Sequence, residues 1–218
     1  MSYRLPNLII VGCQKCGTTW LHRALGKSSF VFASNVKELN FFNQPNFEQN
    51  FDAYIRNFPE ASGAEYYLES TPHYFRNPTE TVDIASNIKE YLDDPKIIVI
   101  FRDPVERYMS AYIHHMMMGR IPYTVTIEDF TDKNNMLTLG KYGHILPHWL
   151  ETFPGMGLFF YDDILHSRYT FVKSVMEFLG LTNDITPDAV EFTTNSKEKK
   201  ASKLGPGWSI IPSMSKTL

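Results

Sequence analysis

The chain has 218 residues, of which 43% are hydrophobic and 21% charged, and its formal net charge is -3. That composition is typical of a globular domain and excludes collagen-like, coiled-coil and largely disordered chains. The slightly acidic balance also argues against a nucleic-acid partner, which normally requires a strongly basic domain. If the protein binds an anion, a few residues at one site must provide the positive charge.

Short apolar runs of the β type alternate with segments of helical period from the N-terminus onward. This alternation predicts an α/β fold, a largely parallel sheet covered by helices on both faces. In chain order the predicted elements are strand 5–11, helix 18–25, strand 66–69, helix 79–91, strand 96–101, helix 104–117, helix 142–152, strand 157–161 and helix 169–179.

No internal repeat or low-complexity block divides the chain, so we expect one domain over residues 1–218, with a loop or tail from about residue 193. The most apolar runs, 8–11 and 97–101, are far shorter than the roughly 20 residues of a membrane-spanning helix. No signal-peptide pattern follows Met1. These features predict a soluble, cytoplasmic protein without a membrane span.

Residues 12–19 (GCQKCGTT) lie between a predicted strand and a predicted helix, the position of a phosphate loop. Its glycines permit a tight turn with inward N–H groups, and the positive end of the following helix favours phosphate or sulfate. Thr18 and Thr19 add hydroxyl donors. A nucleoside triphosphatase carries a lysine directly after the second glycine, whereas here Thr18 follows Gly17 and the lysine is Lys15.

Residues 97–112 (IIVIFRDPVERYMSAY) predict a buried strand that runs into a helix. Arg102 leaves the carboxyl end of the strand, the edge at which open parallel sheets bind ligands, and Ser110 can approach the same point. A guanidinium fork suits phosphate oxygens, and a serine hydroxyl can complete the shell. The two side chains predict a second phosphate site.

Together these two segments resemble the donor site of the sulfotransferases that use 3′-phosphoadenosine 5′-phosphosulfate (PAPS). Residues 12–19 are similar to the 5′-phosphosulfate loop of that family, and R-D-P-x-x-R-x-x-S-x-Y from Arg102 is similar to its 3′-phosphate segment. The resemblance implies a P-loop-type three-layer α/β/α domain, PAPS as the donor, and contact of Lys15 with the transferring sulfuryl group. The implied donor-binding residues are Lys15, Cys16, Gly17, Thr18, Thr19, Trp20, Arg102 and Ser110.

Sulfuryl transfer to a hydroxyl or amine requires a base for the acceptor proton and a cation for the charge that develops on the departing phosphate. Residues 37–42 (KELNFF) resemble the K-E-x-x-F-F motif of glycan sulfotransferases such as the heparan sulfate enzymes. The resemblance implies that Glu38 is the base, with Lys15 as the cation and no metal. His73 is the alternative base, because histidine can accept a proton near neutral pH.

Residues 69–75 (ESTPHYF) resemble the E-K-[ST]-P-x-Y segment of the same glycan branch. The resemblance to the glycan branch implies a carbohydrate or glycoconjugate hydroxyl or amine as the acceptor, with lipids and secondary metabolites as the open alternatives. Residues 140–150 (GKYGHILPHWL) are similar to the G-x-Y-x-x-x-L-x-x-W helix of the family and should contribute core positions. The acceptor-binding residues implied by the resemblance are Lys37, Glu69, Thr71 and His73.

Several alternatives stay open. The basic run 197–200 is either solvated surface or a flap through which Lys197 contacts the donor. Cys13 and Cys16 have the spacing of a redox pair or half a zinc site, although no second pair of zinc ligands is evident. The rival functions are a magnesium-dependent P-loop kinase or nucleoside triphosphatase and a non-catalytic nucleotide-binding module.

Overall fold

A sheet of five parallel strands forms the centre of residues 2–122 and 132–194, the parts of the chain that the computed structural model describes. In sheet order the strands are β2 (Val31–Ala33), β3 (Tyr66–Ser70), β1 (Leu8–Gly12), β4 (Lys96–Phe101) and β5 (Gly157–Phe160). Every residue of β1 is buried, as expected for a central strand covered on both faces. The predicted α/β fold with a mainly parallel sheet is confirmed.

Eight helices surround this sheet in the described ranges. They are α1 (Thr18–Leu25), α2 (Phe51–Ile55), α3 (Ile84–Tyr91), α4 (Pro104–Met117), α5 (Tyr142–Thr152), α6 (Tyr161–His166), α7 (Arg168–Phe178) and α8 (Pro187–Val190). Short 3₁₀ turns cover Phe47–Asn50, Lys133–Asn135 and Thr138–Gly140. α1 packs against α7 and α3 packs against α5, so the helices that connect the strands are themselves packed in pairs.

Most predicted elements match the structure to within a few residues. The bounds predicted for α1, β4, α4 and α5 are those observed. The helix predicted over 79–91 begins only at Ile84, because Thr79 forms a turn with Val82 and the Asp83 carboxylate caps the helix through the Ser86 N–H. The strand β2 and the helices α2, α6 and α8 were not predicted.

The strand order places a crevice at the carboxyl ends of the central strands. After β1 the chain runs to the edge strand β2, and after β3 it crosses to β4 on the opposite side of β1. Ligands of open parallel sheets bind at such a reversal of strand order. The loops that follow β1, β3 and β4 all lie at this edge.

The predicted tail lies largely outside the described residues. Thr193 and Thr194 are described and have no regular secondary structure. Lys197 and the rest of the basic run fall beyond residue 194, so the predicted flap stays a prediction. Within the two described ranges, no helix combines the length and apolar character needed to cross a bilayer.

Candidate active site

A cavity of about 1070 Å³ opens at the carboxyl edge of the sheet. Its walls come from the loops after β1, β3, β4 and β5, from α4, and from the segment between α1 and α2. It brings together residues that are distant in sequence and were assigned to the donor site, the catalytic step or the acceptor site. These are Lys15, Gly17, Thr18, Thr19, Trp20, Lys37, Glu38, His73, Arg102 and Ser110.

The phosphate loop connects β1 to α1 as predicted. Gly17 precedes the helix with φ 89°, a left-handed conformation that glycine adopts without a steric penalty, and Lys15 is also left-handed with φ 71°. No side chain of the described residues caps α1. The first N–H groups of a helix have no partner within the helix, so this end of α1 offers donors to an anion in the cavity.

Cys16 does not contribute its side chain to the cavity, so its thiol cannot make the predicted contact with the donor. The residue is fully buried, and its N–H donates to the carbonyl of Cys13 over 3.2 Å. The resulting turn directs the thiol inward, where its sulfur lies 3.8 Å from the Tyr142 hydroxyl. Both cysteines are free thiols, and the described residues contain no cluster suited to a metal ion.

The predicted second phosphate site centres on Arg102. Its guanidinium donates to the Glu106 carboxylate at 2.8 and 3.1 Å and to the carbonyl of Lys15 at 3.4 Å. The guanidinium carbon also lies 4.6 Å from the centre of the Tyr161 ring. Ser110 lines the same cavity from α4. Arg102 therefore stands between the phosphate loop and α4, where one ligand could contact both.

Asp103 has a different role from the neighbouring arginine. Its carboxylate accepts hydrogen bonds from the N–H groups of Val105 and Glu106 and so caps α4. With Pro104 at the first helical position, this is a strong helix start. The arginine is consequently paired with Glu106, not with the adjacent aspartate.

Lys37 and Glu38 form an ion pair at the cavity wall, with 2.6 Å between Nζ and the carboxylate. The Lys37 side chain is 17% exposed and that of Glu38 is 44% exposed, so the carboxylate is the accessible partner. Burial lowers the pKa of Lys37, and the contact with Glu38 opposes this shift. A half-exposed carboxylate at this position can receive a proton from a bound acceptor.

His73 also lines the cavity, but its ring nitrogens are engaged. Arg76 donates to Nδ1 over 3.1 Å, and the side-chain amide of Gln14 lies 3.2 Å from Nε2. Because an arginine can only donate, Nδ1 is the acceptor in this contact. Burial, followed by the charge of Arg76, lowers the pKa of His73. Because both ring nitrogens are engaged by protein groups, His73 is disfavoured as the base.

Glu69 and Thr71 do not line the cavity, and this corrects the prediction that they contact the acceptor. Both residues are fully buried. The Thr71 hydroxyl donates to the Glu69 carboxylate over 2.9 Å, and the tyrosines Tyr54 and Tyr74 donate to the same group. Their side chains stabilise the loop behind the cavity wall and cannot touch a ligand in it.

Several cavity residues were not predicted from the sequence. Tyr161 follows β5 at the same edge of the sheet, so the rule that identified Arg102 could have found it. His114, Arg120 and Arg168 lie in or beside helices without a distinctive motif. Their presence makes the cavity wall markedly basic, although the chain as a whole is slightly acidic.

The fold and cavity define a parallel α/β domain with a glycine-containing loop between β1 and α1 at the reversal of strand order. Residues 5–205 match the family described as the sulfotransferase domain. A crystal structure of a sulfotransferase from Alicyclobacillus acidocaldarius has the same fold, with a TM-score of 0.73 and 22% identity over 92% of this chain and 94% of that one.

Curated relatives extend the comparison. Human bifunctional heparan sulfate N-deacetylase/N-sulfotransferase 2 is 30% identical over an alignment of 201 residues that covers 82% of this chain and 22% of that protein. Human heparan sulfate glucosamine 3-O-sulfotransferase 3B1 is 29% identical over 197 residues, covering 85% and 48%. The chain spans less than half the length of either relative. It belongs to the sulfotransferase family.

Proposed function

We propose that this chain transfers a sulfuryl group from PAPS to a hydroxyl or amine of a carbohydrate or glycoconjugate acceptor. The observation that carries the proposal is that a single cavity contains the phosphate loop, the Arg102 and Ser110 site, and the Lys37–Glu38 ion pair. A donor with phosphates at both sites would present its sulfuryl group near the carboxylate of Glu38.

The donor would be held at two ends. The N-terminus of α1, with Gly17, Thr18 and Thr19, would bind the 5′-phosphate through N–H and hydroxyl donors. The 3′-phosphate would accept from the guanidinium of Arg102 and the hydroxyl of Ser110. The fork of Arg102 already donates to Glu106, an exposed ion pair of low stability that a phosphate could replace.

The reaction is an in-line displacement at sulfur. The acceptor oxygen or nitrogen forms a bond to sulfur while the bond from sulfur to the bridging phosphate oxygen breaks. The acceptor proton passes to the carboxylate of Glu38, and the departing oxygen gains negative charge that the ammonium of Lys15 stabilises. The products are the sulfated acceptor and adenosine 3′,5′-bisphosphate.

The choice of a carbohydrate acceptor is supported by the two human relatives, whose names specify sulfation of heparan sulfate. One name specifies N-sulfation and the other 3-O-sulfation. A carboxylate base serves either an amine or a hydroxyl. Lys37 and His73 on the cavity wall add donors for polar groups of the acceptor.

Calorimetric titration without magnesium tests the donor site directly. We expect the wild type to bind adenosine 3′,5′-bisphosphate more tightly than ATP, and the variants Arg102→Ala and Lys15→Ala to lose at least roughly tenfold in affinity, since each loses a hydrogen bond from a charged group. Arg56→Ala, at an exposed position outside the cavity, is the matched control. Equal or tighter ATP binding, or no bisphosphate binding by folded protein, would instead favour the kinase or the non-catalytic module.

Radiolabelled PAPS then tests transfer. N-deacetylated heparan sulfate offers free amines, and fully N-sulfated heparan sulfate offers hydroxyls alone. Incorporation of label that is lost in Lys15→Ala supports the proposal. Label in the N-deacetylated polysaccharide alone identifies an amine as the acceptor group, and label in both identifies a hydroxyl. Incorporation into a simple phenol but into neither polysaccharide would retain the reaction and reject the carbohydrate acceptor.

A further inference from the structure

A buried carboxylate lies behind the loop that carries Glu38. Glu69, near the end of β3, is fully inaccessible to solvent. It accepts hydrogen bonds from the hydroxyls of Tyr54 at 2.5 Å, Tyr74 at 2.6 Å and Thr71 at 2.9 Å. A carboxylate that is excluded from water must accept hydrogen bonds from protein groups, and these three hydroxyls donate them.

Two of these hydroxyls also face the loop. The Tyr74 oxygen accepts from the N–H groups of Phe41 at 2.9 Å and Phe42 at 3.3 Å, and the Thr71 oxygen accepts from the N–H of Asn40 at 3.3 Å. A hydroxyl has one proton, and donating it to Glu69 leaves its lone pairs directed at these N–H groups. Three consecutive backbone donors are thereby connected to one carboxylate.

The loop needs such support because its backbone is unusual. Glu38 has φ 65° and Asn40 has φ 51°, both in the left-handed region that residues with a Cβ seldom adopt. The N–H of Glu38 donates to the carbonyl of Ser70 over 3.0 Å, which ties the loop to the end of β3. The hydrogen bonds at residues 40–42 fix the backbone that follows Glu38, while the ion pair with Lys37 holds its carboxylate directly.

We propose that Glu69, Thr71 and Tyr74 form a carboxylate clamp that fixes the backbone of residues 38–42 and so positions the carboxylate of Glu38 in the cavity. The catalytic part of this inference rests on the proposed function, in which Glu38 is the base. Glu69 is a positioning residue, since it touches neither the cavity nor a ligand within it.

The network contains its own matched control. Tyr54 and Tyr74 are both buried and both donate to Glu69, but only Tyr74 accepts from the loop. Replacement by phenylalanine preserves each ring, including the stacking of Tyr54 on Phe41 at 4.0 Å. Each replacement removes one donor to the carboxylate, so a general loss of stability should affect both variants alike.

Hydrogen–deuterium exchange tests the clamp without an acceptor. In Tyr74→Phe we expect the amides of residues 40–42 to exchange roughly tenfold faster than in the wild type, because two of them lose their acceptor. In Tyr54→Phe their exchange should be unchanged. Equal exchange of this segment in the two variants, after comparison with amides of β1 as an internal reference, would overturn the clamp.

Kinetics tests the positioning of Glu38. With the polysaccharide that the wild type sulfates, Tyr74→Phe should lower kcat about tenfold with little change in the KM for PAPS, while Tyr54→Phe stays within about twofold of the wild type. Glu69→Gln should retain more activity than Glu69→Leu, because the amide oxygen can still accept from Tyr74 and Thr71. Equal kcat values for Tyr74→Phe and Tyr54→Phe would overturn the positioning role.

The two readouts also separate this inference from the proposed function. If the wild type transfers no sulfuryl group to any probe, the proposed function fails, whereas the exchange result still decides whether the clamp exists. If transfer occurs and Glu38→Gln leaves kcat unchanged, Glu38 is not the base and the positioning role falls with it.

Discussion

The guanidinium of Arg102 donates to the main-chain carbonyl of Lys15 over 3.4 Å. Since Arg102 follows β4 and Lys15 follows the adjacent strand β1, this bond joins the two predicted phosphate sites. The Tyr142 hydroxyl donates to the carbonyl of Arg102 over 3.0 Å, and the Tyr161 ring packs on the guanidinium. Both the backbone and the side chain of Arg102 are therefore fixed before a donor binds.

This arrangement predicts that lysine cannot replace Arg102. An ammonium keeps the charge but loses the planar fork and the stacking on Tyr161. For Arg102→Lys we expect the affinity for adenosine 3′,5′-bisphosphate to fall roughly tenfold, or about 1.4 kcal/mol, as measured by calorimetry. Arg4→Lys, in an exposed ion pair with Glu60, should bind as the wild type does. Wild-type affinity in Arg102→Lys would show that charge alone suffices.

If Glu38 is the base, its substitution should slow the chemical step and leave donor binding unchanged. Glu38→Gln should lower kcat by about 10²–10⁴-fold, the usual contribution of a general base, with little change in the KM for PAPS. Steady-state transfer of radiolabel from PAPS measures both constants. Glu48→Gln, at an exposed site outside the cavity, is the control.

His73 provides the opposing test of that assignment. Because Arg76 and Gln14 engage both of its ring nitrogens, His73→Asn should raise the KM for the acceptor more than it lowers kcat. A loss of kcat in His73→Asn as large as that in Glu38→Gln would move the base to the histidine.

The sequence predicted those elements whose pattern is local and strong. Residues 96–101 form a continuous apolar run that ends before Arg102, and the observed strand has the same bounds. The strand β2 has three residues, too few to show an alternation, and it is defined by pairing with β3. The strand β2 therefore depends on its pairing with β3, a tertiary contact that the local sequence does not reveal.

The sequence predicted those site residues that directly follow a strand of the sheet. In a parallel sheet the residues after β1 and β4 must lie close together, which placed Lys15 and Arg102 correctly in one cavity. The direction of Glu69 could not be predicted, because its partner Tyr54 belongs to α2, a helix of five residues without a clear pattern. Motif similarity identified the segment but not the face to which its side chains point.

The conformation of Gly17 in the phosphate loop predicts that a methyl group at this position lowers both stability and bisphosphate binding. With φ 89°, a side chain there is strained, and a Cβ would lie 2.9 Å from Cδ1 of Ile164 and 3.1 Å from the Tyr161 ring. We expect Gly17→Ala to lower the free energy of unfolding by at least about 1–2 kcal/mol and to weaken bisphosphate binding. Urea unfolding and calorimetry measure the two effects.

Gly143→Ala is the matched control for that substitution. Gly143 lies in α5, and a Cβ at this position would meet no atom within 4 Å. Alanine should be neutral or should stabilise the helix by up to about 1 kcal/mol, with no change in binding. Equal effects of the two substitutions would contradict the role of the left-handed turn before α1.

Because His22 is buried, we expect the folded protein to lose stability in mild acid. This histidine of α1 is 6% exposed, its Nε2–H donates to the carbonyl of Ser34 over 3.1 Å, and burial lowers its pKa to about 4. In the unfolded chain its pKa is about 6.5. As the pH falls below 6.5 the unfolded state binds a proton that the folded state does not bind until about pH 4, so stability is lost across this window.

The magnitude follows from the same two values. Between pH 7 and pH 5 the contribution of His22 to the free energy of unfolding should fall by about 2 kcal/mol. In His22→Gln the amide can still donate to Ser34 but does not titrate, so the difference in pH dependence between wild type and variant isolates this histidine from the other titrating groups. Urea unfolding of both proteins at the two pH values should show the wild type losing about 2 kcal/mol more than His22→Gln. Parallel losses would mean that His22 titrates normally in the folded protein, with its ring open to solvent.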